Sequence, residues 1–252
     1  MEWLSNNGIL YGTYSLFSEH RNKLFHGVFT RQGGVSRDPF ASLNAGFHVG
    51  DEEACVNKNQ KKIAKVANSI LMSPRQVHGT HVHIVKKSME DISKVEADSI
   101  ITNIPGISLM ILTADCQAIL LYDPIKKVIA NVHAGWRGSI QNILEKTMVI
   151  LKNQFDCIPE TIFAAIGPSL GPCCAEFKHY KTEIPKKFWT YQYKENYFDF
   201  WKISQDQLIN MGIKPEHTEI AGFCTVCYPE LFYSYRAKQI TGRFATVIGI
   251  LE

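Results

Sequence analysis

The sequence predicts an α/β fold with a mixed sheet, in a single domain spanning residues 1–252. Three observations carry this reading. Helical and strand-like patterns interleave along the chain. The central pair of strands is joined by a short turn, so it is a hairpin and not a crossover. No low-complexity segment, repeat or linker divides the sequence. A hairpin set among alternating helices and strands calls for a mixed sheet with helices packed against it.

The elements follow in order. Leu24–Thr30 and Ile84–Val85 have the apolar, β-branched content of strands, and Glu53–Ala67 between them has helical spacing. Ala118–Tyr122 and Val128–Val132 are apolar runs of strand length, broken by Asp123-Pro124 and two lysines. Ser139 precedes Ile140, Ile143, Leu144, Thr147, Met148 and Leu151, which predicts an N-cap and a helix reaching Phe155. Thr161–Ile166 is a strand ending at Gly167-Pro168, and Trp201–Met211 is a helix stopped by Gly212. Glu219–Cys224 and Ala245–Leu251 close the fold as strands.

The stretch from Ile107 to Ser139 carries most of the chemistry. Cys116 enters the first strand of the hairpin and His133 leaves the second. If Tyr122 faces Lys127 across the turn, the pairing carries outward to Cys116 opposite His133. Directly opposed residues of an antiparallel pair have Cβ atoms roughly 4.5–5.5 Å apart. That separation suits two ligands of one metal, or a thiol and its base. Beyond His133, the turn Ala134-Gly135-Trp136-Arg137-Gly138 leads into the Ser139 helix, a place that favours an anion such as phosphate. The ordinary alternative is a buried cysteine and a hydrogen-bonded core histidine beside a helix cap.

Composition sets limits. Hydrophobic residues make up 45% and charged residues 20%, as in a soluble globular protein. A formal net charge of +3, evenly spread, gives no footprint for nucleic acid. No apolar run reaches membrane-spanning length, and the N-terminal stretch lacks the pattern of a signal peptide. The expectation is a cytoplasmic protein with no membrane or nucleic-acid partner. Seven cysteines, an odd number, fit reduced thiols better than a disulfide framework.

Other clusters have their own readings. Gln76-Val77-His78-Gly79-Thr80-His81 places imidazoles between a proline-bounded segment and a strand, while His81 and His83 fit a solvated strand face. Asp98 and Asp115 are carboxylates at strand edges, the second adjoining Cys116. Arg31 opens a glycine-containing turn able to approach a phosphate or a planar base. Cys224-Thr225-Val226-Cys227 has the spacing of half a zinc site or of a redox pair. With no second such pair in the sequence it carries no site, and the adjacent Cys173 and Cys174 are expected to be core or cleft-wall residues.

Taken together, these segments resemble one family. Phe25-His26-Gly27-Val28-Phe29-Thr30-Arg31-Gln32-Gly33-Gly34-Val35-Ser36 and Ser42-Leu43-Asn44 are similar to its N-terminal signature. Gln76-Val77-His78-Gly79, Ala97-Asp98, Thr113-Ala114-Asp115-Cys116, Val132-His133-Ala134-Gly135-Trp136-Arg137-Gly138, Gly167-Pro168-Ser169 and Cys224-Thr225 follow in the same order. Phe232-Tyr233-Ser234-Tyr235-Arg236 and Thr241-Gly242-Arg243 complete the set. From Phe25 to Leu251 the chain resembles the laccase-domain, or "multicopper polyphenol oxidase", family, now regarded as zinc-dependent purine nucleoside phosphorylases. Tyr233 and Ala237 depart from a pattern that more often shows two aromatics and then paired arginines.

The resemblance implies zinc bound by His78, Cys116 and His133. It implies cleavage of adenosine, inosine and methylthioadenosine with phosphate, and in some members adenosine deamination. It also implies a four-layer α/β/β/α fold shared with toxin deamidases that use a cysteine–histidine pair. In that frame Asp115, Cys116 and His133 are the catalytic candidates. Arg31, Asn44, Asp98 and Arg137 are the candidates for substrate or phosphate. An alternative uses Cys116 and His133 as nucleophile and base of an amidase acting on peptidoglycan precursors. Copper-dependent phenol oxidation is disfavoured, because His81 and His83 form the chain's sole His-x-His pair.

Overall fold

A computed structural model describes residues 1–88 and 90–251. The strands are β1 (Glu2–Asn6), β2 (Ile9–Thr13), β3 (Leu24–Phe29), β4 (Ile70–Met72), β5 (Val82–Ile84), β6 (Ser99–Thr102) and β7 (Ile107–Thr113). They continue with β8 (Gln117–Asp123), β9 (Val128–Ala134), β10 (Phe163–Ile166), β11 (Gln192–Lys194), β12 (Tyr197–Phe198), β13 (Thr218–Ile220) and β14 (Phe244–Ile250). The helices are α1 (Glu53–Ala67), α2 (Trp136–Ile140), α3 (Ile143–Phe155), α4 (Tyr180–Glu183) and α5 (Phe200–Asn210).

Two mixed six-stranded sheets form, ordered β1-β2-β3-β14-β7-β4 and β13-β10-β8-β9-β6-β5. Period-two patterning explains the buried strands. In β8, Ala118, Leu120 and Tyr122 face the first sheet and pack with Leu109, Ile111, Phe244 and Ile248. Ile119 and Leu121 face the opposite way, against Leu144, Met148 and Leu151 of α3 and Leu208 of α5. On the outer face of the first sheet, Ile63 and Val66 of α1 cover Phe29, Met110 and Val247. Each such aliphatic side chain removed from water contributes about 1.5–3 kcal/mol before chain entropy is counted. His26 of β3 is part of this framework: its buried Nε2 accepts the Tyr14 backbone N–H at 2.8 Å.

Two expectations need correction. In the hairpin Tyr122 pairs with Ile129 and Ala118 with His133, a slip of two residues from the register read in the sequence. The cause is the turn. The Asp123 carboxylate accepts the N–H groups of Ile125 and Lys126, and Lys127 takes a left-handed φ of 52°, so the last pair is Asp123 with Val128. A two-residue slip keeps every side chain on its face. Ser139 is also not a cap. It lies buried within α2, its hydroxyl donating to Gly135 O. The long helix starts at Ile143, where the Asn142 side chain accepts the Glu145 N–H.

Candidate functional site

The chain passes from the first sheet to the second at two points, and both carry site residues. Ala114-Asp115-Cys116 joins β7 of the first sheet to β8 of the second. The segment with Gln76-Val77-His78-Gly79 joins β4 of the first sheet to β5 of the second. Gln76 pins this second crossing. Its side-chain amide donates to Leu112 O and accepts from Leu112 N, both at 2.9 Å, extending the β7 edge by a side chain. His78 and Asp115 both hold left-handed backbone, with φ of 58° and 92°. Strain of that kind costs about 1–3 kcal/mol and persists only where the surroundings enforce it.

His78, Cys116 and His133 converge, their ligand atoms all within 4.8 Å of one another. The Cys116 Sγ lies 3.9 Å from His78 Nε2. The two imidazoles stand edge to face, centroids 4.8 Å apart. Gly135 permits this approach, because a Cβ there would meet Cys116 Sγ at 3.1 Å and His78 Cδ2 at 3.2 Å. Burial is graded: His133 is buried, Cys116 half-buried and His78 exposed.

Asp98 organises the group from below. Fully buried, it accepts a hydrogen bond from His133 Nδ1 at 2.7 Å and from the N–H groups of His78 and Gly79 at 2.9 and 2.7 Å. Burial alone would raise its pKa, but these bonds and the His133 charge hold it below the usual carboxylate range. Fixing Nδ1 leaves His133 Nε2 for the centre, the usual service of a carboxylate behind a metal-binding histidine. Burial pulls the Cys116 thiol up, yet the imidazoles of His133 and His78 outweigh it and bring it down to about 6. Burial likewise pulls His133 down, and the Cys116 and Asp98 charges raise it to about 9. Both shifts favour a thiolate at Cys116 beside a charged imidazole, and a metal held there would take the place of that proton. One thiolate and two imidazoles suit zinc, with a fourth position open toward the cleft.

The cleft above has a volume of about 1290 Å³. Phe177, Phe200 and Trp136 supply an aromatic wall, while Arg137, Arg236 and Arg243 bring positive charge. Arg137 lies over the Trp136 ring, 4.3 Å from its centroid. Asp115 lines the cleft beside Cys116, its carboxylate accepting from Thr225 Oγ1 at 2.7 Å and from Arg236 N at 2.6 Å.

Other sequence candidates lie elsewhere. Asn44 is fully buried, its amide engaged by Gly46 O, Asp51 Oδ2, Gly46 N and Arg243 N, so it shapes a loop and has no group left for a ribose. The Arg31 guanidinium donates to Ala41 O and Pro229 O and covers the Tyr233 ring. Tyr233 in turn is buried and donates to Phe40 O. His83 pairs with Glu90 at 2.8 Å, as fits a solvated strand face. Arg236, Arg243 and Gln76 carried no role in the sequence reading. Their motif membership was the available signal.

The chain is similar along most of its length to known proteins. The family model described as "Multi-copper polyphenol oxidoreductase laccase" matches residues 25–251. The chain is 31% identical to "Purine nucleoside phosphorylase YlmD" of Bacillus subtilis over 93% of this chain and 91% of that one. It is 33% identical to "Purine nucleoside phosphorylase YfiH" of Escherichia coli, over 88% and 92%. Among solved structures, YlmD of Geobacillus stearothermophilus superposes with a TM-score of 0.86 at 28% identity, covering 99% of this chain and 98% of that one.

Proposed function

This chain belongs to the multi-copper polyphenol oxidoreductase laccase family, and from that premise we propose that it is a zinc-dependent purine nucleoside phosphorylase. The observation that carries the reading is the open His78–Cys116–His133 centre in a cleft lined by aromatic side chains and arginines. Relatives named as purine nucleoside phosphorylases support it. The substrates proposed are adenosine, inosine and methylthioadenosine, with adenosine deamination as a second activity of the same centre. The layer order α/β/β/α, with α1 outside one sheet and α3 and α5 outside the other, supports kinship with cysteine-hydrolase folds.

Phosphorolysis breaks the bond from ribose C1′ to the purine nitrogen and joins C1′ to a phosphate oxygen. Positive charge grows on the sugar and negative charge on the purine. Phe177, Phe200 and Trp136 offer the base an apolar, aromatic wall. Arg137 offers phosphate a forked donor set already braced against Trp136. Asp115, held by Thr225 and Arg236, is placed to orient Arg236 or to carry a proton at the cleft floor. When bound, zinc supplies a Lewis acid and a water of lowered pKa. His78, Cys116 and His133 would hold it, with Asp98 fixing His133.

The donor sets favour zinc over a multicopper centre. Among the described residues the metal-capable groups are this three-donor set and a set of four cysteines, with no trinuclear array of histidines. The seven cysteines stand as free thiols, which supports a reducing, cytoplasmic setting, while the relatives named as phosphorylases support small-molecule substrates. One observation favours a second reading: a thiol lowered to about 6 beside His133 is also the device of a cysteine amidase. An assay decides between them. Zinc-replete protein should release base and ribose 1-phosphate from nucleosides, in proportion to added phosphate. Release that ignores phosphate, or none from any purine nucleoside, would overturn the assignment.

A further inference from the structure

Four further thiols come together, and they supply the second half that the Cys224–Cys227 spacing lacked in the sequence. Cys173 and Cys174 follow β10 in a tight turn, and Cys224 and Cys227 follow β13. Strands β10 and β13 are parallel neighbours, and the pairing extends past their ends through Ser169 and Cys224. Both loops therefore leave the sheet side by side. Gly171 permits close contact, since a Cβ there would meet Trp201 at 2.8 Å and Cys224 Cβ at 3.0 Å. The Cys174 N–H donates to Gly171 O at 2.9 Å, closing the turn that aims two adjacent thiols at one point.

The Sγ atoms of all four cysteines lie within 4.8 Å of one another. Cys173 Sγ is 3.6 Å and Cys174 Sγ 3.7 Å from Cys227 Sγ. A disulfide would need sulfurs ~2.05 Å apart. A tetrahedron of sulfurs around zinc, with bonds of ~2.3 Å, has edges of ~3.8 Å. The spacings of 3.6 and 3.7 Å match an edge of that tetrahedron, and all four sulfurs stay within 4.8 Å. Two further features belong to such sites. Cys224 and Cys227 have the Cys-x-x-Cys spacing, turned by Cys227 N and Tyr228 N donating to Cys224 O. The Gly171 N–H points at Cys224 Sγ at 3.4 Å, where a thiolate would accept it.

We propose that Cys173, Cys174, Cys224 and Cys227 form a second metal site, a closed four-sulfur site for one zinc ion. Four protein ligands leave no open position, so the site is structural. Its consequence for catalysis is indirect. Thr225, inside the Cys-x-x-Cys, donates to Asp115 Oδ1, and Leu170 N, beside the other pair, donates to Asp115 O at 2.8 Å. Arg236 donates to Cys174 O and receives its orientation from Asp115 Oδ2. The ion would tie both loops behind Asp115, next to Cys116, and hold Arg236 at the cleft.

The site is independent of the phosphorylase reading, and its test counts metal and sulfur. Protein purified in reductant with zinc should carry two zinc ions per chain by elemental analysis. X-ray absorption on it should average between two and three sulfurs per zinc. His78→Ala should keep one ion, now with an all-sulfur shell. Cys227→Ser should lose one ion while Cys116 stays protected from alkylation. If Cys227→Ser does not fold, wild type and His78→Ala still decide. One sulfur per zinc in the wild type, no zinc in His78→Ala, or a Cys173–Cys227 disulfide in unreduced digests would each overturn the proposal.

Discussion

Two sulfur clusters flank Asp115, and they are built on opposite plans. The Cys116 cluster mixes one thiol with two imidazoles, runs from buried His133 to exposed His78, and is braced by the buried carboxylate of Asp98. The Cys173–Cys174–Cys224–Cys227 cluster has thiols alone, two of them exposed, braced by backbone N–H groups and tight turns. The first has three donors facing a cleft of about 1290 Å³, and the second uses its donors on one another. The difference separates a centre built to meet substrate from a clasp built to hold loops. Mixed donors with a supporting carboxylate tune reactivity, whereas four like donors satisfy an ion completely.

The largest expected effect tests the first half of that division. Cys116→Ser or His78→Ala removes a donor from the open centre. Either should lower zinc-dependent phosphorolysis by more than about 100-fold, beyond what loss of an outer partner brings. The melting temperature should fall less than for Cys227→Ser. Iodoacetamide should label Cys116 slowly in metal-replete protein and quickly after chelation. Rapid labelling of the replete protein, with activity lost in step, would instead make Cys116 a nucleophile.

An intermediate effect is expected at Asp98. Asp98→Asn keeps the shape but weakens the acceptor at His133 Nδ1. Metal affinity at the open centre should drop about 10–100-fold in a chelator competition. The four-cysteine site, which touches no carboxylate of this kind, should hold its ion unchanged. Equal loss at both would mean that the substitution merely loosens the fold.

The sequence made much of the first cluster legible and almost none of the second. Periodicity located α1, α5, β8, β9, β10 and β14 nearly to their ends, because each pairs a long apolar face with clear breaks. It missed β2, β4 and β6, and ran the strand at Glu219 on to Cys224 where β13 ends at Ile220. It also missed β1, whose Glu2–Asn6 is largely exposed, and β7, whose apolar run reads as a lead into the hairpin but belongs to the other sheet. Cys116 and His133 survived a register error because a slip of two keeps the face. The cysteine clasp was hidden by distance along the chain: its halves meet only because β10 and β13 are parallel neighbours. Asn44 and Arg31 differ for another reason. Their polar groups engage backbone partners and, for Asn44, the Asp51 carboxylate, none of which a motif displays.

The smallest expected effect asks which arginine belongs to which cluster. Arg137 follows Gly135, the residue that abuts Cys116, and its guanidinium is braced by the face of Trp136. Arg236 is tied through Nη1 to the carbonyls of Cys174 and Glu176, on the clasp side. Arg137→Ala should therefore raise KM for phosphate about tenfold, as loss of a charge-assisted hydrogen bond of about 1.5 kcal/mol would do, and leave KM for nucleoside nearly unchanged. Arg137→Lys should recover part of the loss, since it restores charge but not the planar fork. Arg236→Ala should act on kcat and stability more than on phosphate KM, through Asp115 and the loop it holds. If Arg236→Ala raises phosphate KM while Arg137→Ala does not, phosphate sits on the clasp side of Asp115. The separation of the two clusters into reactive centre and scaffold would then fail.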